Sequence, residues 1–171
     1  MLLDWLSGKA ALRYPVPPAP RTAVLLPLVR PGAQVRVFAE GWGDKAEAFQ
    51  PAAVAGAWAQ FEELLGREIP SLTHAVMVLA RRTEELLNEG QRAALWRAFR
   101  VPVFEQILAD DGSLLAMECE AHDGLHVEPA RLAADVENGE GMGLELGPCG
   151  CGRTTPRMRR LSRDRTLVAA V

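Results

Sequence analysis

The chain has 171 residues, about half of them apolar and a quarter charged, which suits one globular domain with a real core and is short for two. A formal net charge of −3 excludes a bulk positive field that would gather nucleic acid or anionic lipid. Three cysteines are too few for a secreted disulfide framework, no signal peptide is read at the N-terminus, and no apolar run reaches bilayer length; a reducing, cytoplasmic setting is therefore expected.

In chain order, Leu2, Leu3, Leu6 and Leu12 predict a short amphipathic helix, and "PVPPAP" predicts an extended connector, together spanning residues 1–20. "TAVLLPLV" and "AQVRVFAE" read as strands joined by a turn at Pro31-Gly32. "WGDKAEAFQP" reads as a loop. Val54, Trp58, Phe61, Leu64 and Leu65 recur at helical spacing from Ala52 to Leu65, with Gly66 as the stop.

"THAVMVLA" is a continuous apolar run, the pattern of a strand buried on both faces. A helix follows from Thr83 as N-cap to Phe99, with Gly90 as its weak point. "VPVFEQIL" and "SLLAMECE" are strands separated by the turn "ADDG". "GLHV" is a short strand that leads into one or two helical turns. "ENGEGMGLELGPCGCG" is a glycine-rich loop, and "RMRRLSRDRTLVAAV" ends in a strand. Alternation of strand and helix predicts one α/β domain over residues 1–171, with a mainly parallel or mixed sheet and flanking helices.

The chemistry concentrates in "ECEAHDGLH", Glu118 to His126, and in "PCGCG". Thiolate and imidazole are the ligands that hold zinc in a reducing cell. Cys119, His126, Cys149 and Cys151 make the most natural set of four, with His122 as the alternative to His126. Four protein ligands close the coordination shell, so the expected cofactor is a structural zinc ion that pins the glycine-rich loop to the sheet. A second reading makes Cys119 a nucleophile, with His122 or His126 as base and Asp123 as orienter. A third reading leaves Cys119 as a core cysteine and the other two as loop thiols. The remaining acids of the stretch, with His122, are assigned to loop surface. The four tryptophans read as packing residues, Trp42 excepted, which is a candidate for an exposed binding role. The arginines from Arg153 to Arg165 read as a solvated basic face.

From Ser71 to Arg165, "SLTHAVMVLARRTEELLNEGQRAALWRAFRVPVFEQ", "AMECEAHDGLHV" and "CGCGRTTPRMRRLSRDR" resemble the later half of the large domain of the phenylacetate–CoA ligase group of adenylate-forming enzymes. The resemblance implies a metal set of one cysteine, one histidine and a C-x-C pair, at Cys119, His126, Cys149 and Cys151. It also implies what is missing. Residues 1–70 hold no Gly/Ser/Thr-rich phosphate loop, and "ILADDG" offers only Asp110 or Asp111 where the family carries an acid for magnesium. The stretch that carries the family's ribose-binding aspartate is shortened, and no lysine follows Lys45. The expectation is a trimmed, non-catalytic, zinc-binding relative that binds a small acyl or aromatic ligand or a protein partner. The alternatives are a Cys/His or metal-dependent enzyme, and one half of a split ligase.

Overall fold

The computed structural model describes residues 9–128 and 142–160. Their strands form one mixed nine-stranded sheet with a few helices, an α/β-like arrangement. The predicted N-terminal helix lies partly outside the described residues. Within them, Lys9 to Tyr14 is not helical, and Ala11 instead forms a parallel bridge with Arg30.

The parallel half comprises β1 (Thr22–Val24), β2 (Val35–Val37), β3 (Ala53–Gly56), β4 (Ala75–Arg81) and β5 (Val103–Leu108), in the order β2-β1-β3-β4-β5. β3 is buried throughout and β4 at all but its last residue, as continuous apolar runs between two covered faces require, and β5 is buried throughout with Glu105 and Gln106 included. The expected turn between the first two strands is corrected. Gly32 and Val35 exchange backbone hydrogen bonds, but β1 and β2 run parallel, Thr22 beside Val35 and Val24 beside Val37. Chain reversal is therefore excluded, and the segment between them crosses over.

Helix α1 (Asp44–Phe49) occupies the stretch read as a loop, and Gln50 ends it in the left-handed region. The single helix predicted from Ala52 to Leu65 divides into β3 and α2 (Trp58–Leu64). Hydrogen bonding from both neighbours, β1 and β4, overrides the local period there. Gln60 stabilises the break: its Oε1 accepts from the Ala57 N–H and its Nε2 donates to the Leu25 carbonyl. Gly66, with φ +88°, follows as the predicted stop.

Helix α3 (Glu89–Phe99) starts later than Thr83. Asn88 is the cap: its Oδ1 accepts from the Gln91 N–H at 2.9 Å, and Gln91 Oε1 accepts from the Asn88 N–H at 3.0 Å. Gly90 thus falls in the first turn, away from the helix interior.

Beyond β5 the sheet turns antiparallel, through β6 (Leu114–Glu118), β7 (Leu125–Val127), β9 (Arg157–Arg160) and the edge strand β8 (Met142–Glu145). β8 lies inside the segment predicted to be a glycine-rich loop. The helical turns expected after Val127 and the strand expected at the C-terminus lie outside the described residues.

Two cores cover the parallel half. On one face Phe61 and Leu64 of α2 and Leu95 of α3 pack on Val54, Val76, Val78 and Val103. Each such side chain contributes about 1.5–3 kcal/mol relative to exposure. On the other face, among the described residues, Leu12, Tyr14, Leu26 and Leu28 pack against Met77, Leu79, Phe104 and a patch of small residues, Ala53, Ala55 and Ala75. Among the described residues, no helix is long and apolar enough to cross a membrane.

Candidate metal centre

The centre is built where the sheet changes direction, and strand alternation divides "ECEAHDGLH" between two faces. Met117 pairs with His126, while Glu118 pairs with Leu125. Cys119, two residues beyond Met117, therefore faces the same side as His126, and Glu118 faces the opposite side. After Cys119 the chain reverses tightly: the His122 N–H donates to the Cys119 carbonyl at 3.0 Å, and His122 takes φ +50°. Gly124 follows at φ +84°, where a Cβ would stand 2.6 Å from the Met158 carbonyl oxygen. Only glycine fits that approach of the turn to β9.

The second half of the centre is the loop between β8 and β9. The Cys149 N–H donates to the Arg153 carbonyl and the Gly152 N–H to the Cys149 carbonyl, both at 2.9 Å, with Gly152 at φ +83°. This folds "CGCG" into a knuckle, and Gly150 passes close to Ala121 of the other half.

Cys119, His126, Cys149 and Cys151 converge, their ligand atoms all within 4.8 Å of one another. Cys119 Sγ lies 3.7 Å from Cys149 Sγ, and Cys151 Sγ lies 3.4 Å from His126 Nε2. Around a tetrahedral ion with metal–sulfur bonds of about 2.3 Å and metal–nitrogen bonds of about 2.05 Å, those separations are about 3.8 and 3.6 Å. The four residues therefore fit a single metal ion. Three of them are buried and Cys151 is half-buried.

The surroundings suit ligation. His126 Nδ1 is 2.7 Å from Thr155 Oγ1, which fixes the ring and turns Nε2 to the thiols. Burial, with the Arg153 charge, holds the imidazole below its ordinary pKa, so the neutral ligating form is favoured. In the metal-free chain, burial pushes the Cys119 thiol up to about 12. Burial also opposes ionisation of Cys149, but the Cys151 N–H, the neighbouring thiols and Arg157 outweigh it and bring that thiol below its ordinary value.

Two groups outside the predicted set matter. Thr155 is one. The other is Arg157, 2% exposed, whose guanidinium bonds Asp123, Glu145 at 3.2 Å and the Pro148 carbonyl at 3.4 Å, tying the turn to the knuckle. Arg157 and Arg159 share Asp123 and Glu145, two cations with two anions.

The assignment to loop surface is corrected for Glu118; His122 and Glu120 are exposed in the turn as expected, and Asp123 is half-buried there. Asp123 carries these ion pairs, and Glu118 is 5% exposed. Glu118 Oε2 accepts from Arg92 Nη2 at 3.1 Å and from the Glu105 N–H at 3.0 Å, and Glu118 Oε1 stands 3.0 Å from His122 Nδ1. His122 stacks on Phe104 with ring centroids 4.9 Å apart, and takes no part in the cysteine cluster. Trp42 is not the exposed tryptophan: it packs on the helix-side core and donates to Glu47, whereas Trp96 is 49% exposed. The basic-face reading also yields at Arg157.

The chain matches no protein-family model and no curated protein.

Proposed function

We propose that this chain is a zinc-clasped, non-catalytic binding protein, similar to a trimmed phenylacetate–CoA ligase, and that it acts on a small ligand or a protein partner. The observation that carries the metal part is the convergence of three thiols and one imidazole at tetrahedral separations. That donor set selects zinc in a reducing compartment, because soft sulfur ligands disfavour magnesium and calcium. With every position taken by protein, the ion joins the turn after β6 to the β8–β9 knuckle and leaves no place for substrate.

The ligase-like part rests on the sequence resemblance over residues 71–165, and the non-catalytic part on residues 1–70, which hold no phosphate loop, and on "ILADDG", which departs from the family's magnesium-binding motif. Replacing Cys149 with Ser tests the clasp. Structural zinc binding is worth about 10–16 kcal/mol in small zinc modules, as much as a whole domain's stability of about 5–15 kcal/mol. The variant should therefore lose both its metal and its cooperative melting of the antiparallel half. A variant with unchanged metal content would remove Cys149 from the site. For the catalytic part, ATP–pyrophosphate exchange above background with any carboxylic acid contradicts the proposal.

A further inference from the structure

Against the sheet face opposite the metal centre, an open cavity of about 700 Å³ lies beside α3. Its apolar wall includes Trp96, Leu125 and Met158, the last two paired across β7 and β9. Its floor is charged. Glu105 and Glu118 meet there, one step beyond the Gln106–Met117 pair, with side chains only 6% exposed.

One guanidinium serves both. Arg92 Nη2 stands 2.7 Å from Glu105 Oε2 and 3.1 Å from Glu118 Oε2, while Nη1 donates to the Val103 carbonyl. Glu105 Oε1 accepts from the Leu87 N–H at 2.6 Å. His122 supplies a balancing charge only as the imidazolium. Glu89 on the rim adds a third carboxylate. Arg159 also reaches the rim, but its charge belongs to the balanced set with Arg157, Asp123 and Glu145.

We infer that this cavity is a binding site for an organic cation with an apolar body, an alkyl or arylalkyl amine, and that it rejects the matching carboxylate. The inference rests on the reading that the protein works by binding, but not on the metal.

The charge count decides the sign. An entering carboxylate meets two buried carboxylates that already share the Arg92 Nη2 group, so it finds two like charges against one guanidinium charge and net repulsion. An ammonium meets the opposite field and completes the pairing of the floor. Its apolar part lies along Leu125 and Met158, and the exposed Trp96 ring offers a face to cation or aromatic group. Burial pushes the Glu105 carboxyl above its ordinary pKa, against the pull of the Leu87 N–H and Arg92 and with added push from Glu118. A bound cation relieves that penalty on the ionised form. The volume suits a small ligand with an aromatic or alkyl body.

The test is calorimetric titration of the full chain with 2-phenylethylamine and with phenylacetate, two probes that share a ring and differ in charge. The amine should bind at least about tenfold tighter than the acid, a preference of the size expected for one well-placed charge contact. Trp96→Ala should weaken amine binding about fivefold or more, within the range for a partly desolvated cation–π contact. Since Trp96 is half exposed, that variant keeps the fold. Glu118→Gln should weaken it further, and Trp96→Ala remains decisive if Glu118→Gln fails to fold. Equal or tighter binding of phenylacetate overturns the inference, and so does no binding of the amine. Metal content measured on the same samples separates the two readings. Protein that holds zinc but ignores the amine overturns only this site, and folded metal-free protein that binds the amine overturns only the clasp.

Discussion

Replacing Arg92 with Met tests the buried charge arrangement directly. The guanidinium contacts Glu105 at 2.7 Å and Glu118 at 3.1 Å, and both carboxylate side chains are 6% exposed while Arg92 is 33% exposed. Removing one partner from a buried ion pair costs about 3–5 kcal/mol, because the remaining charge stays desolvated. Here two carboxylates would remain, but the partly exposed Arg92 site lets water reach them, so the lower end, about 3 kcal/mol, is expected. For a chain of this size that corresponds to a fall of about 6–12 °C in Tm.

The deficit should also depend on pH with a definite sign. Glu105 is already raised above its ordinary value of 4.5, chiefly by burial, and loss of Arg92 removes two of the contributions that lower it. A carboxyl whose folded pKa is raised favours the folded state when protonated, so its stabilisation is full at low pH and is lost as pH rises through the folded pKa. Thermal unfolding followed by circular dichroism at pH 7 and near pH 5 should therefore show a smaller deficit at the lower pH. A Tm change under about 2 °C, or a deficit that grows on acidification, refutes the argument.

Two further perturbations address the metal centre. Thr155→Val removes the hydroxyl 2.7 Å from His126 Nδ1 and should lower metal affinity about 10–100-fold, read by competition with a chromogenic chelator, with the fold retained. Gly124→Ala forces a Cβ to within 2.6 Å of the Met158 carbonyl at φ +84° and should cost at least about 2 kcal/mol in chemical denaturation; an unchanged midpoint would show that the turn does not need glycine.

The parts of this fold that can be read from sequence are those whose pattern is local. β4 announces itself as an unbroken apolar run, β5 as apolar residues on either side of Glu105 and Gln106, and "ADDG" marks the hairpin to β6. β3 does not, because its four residues "AVAG" continue into the helical period of Trp58, Phe61 and Leu64, and only pairing with β1 and β4 makes them a strand. β8 is likewise made by β9, since "MGLE" has no strand signal of its own. α1 is six residues long with no side-chain cap at Gly43, so nothing in its sequence separates it from a loop.

At the metal centre, thiols and histidines are scarce enough in the chain that their clustering points to three cysteines with His126 or His122, and only the fold brings His126 to the thiols. Glu118 was legible in principle, because alternation along β6 puts it opposite Cys119 and therefore off the loop surface. Its partner Arg92 was not, since nothing local links a residue on α3 to one on β6. Arg157 lay hidden among the arginines that follow Arg153, where composition reads as a solvated face and only the fold separates its buried guanidinium from the exposed Arg159.

Elemental analysis of the purified chain, paired with titration of its thiols under native and denaturing conditions, tests the central claim most directly. One zinc per chain is expected, with Cys119, Cys149 and Cys151 unreactive until a chelator or denaturant releases the metal. No bound metal in folded protein, with all three thiols titrating freely, would contradict it.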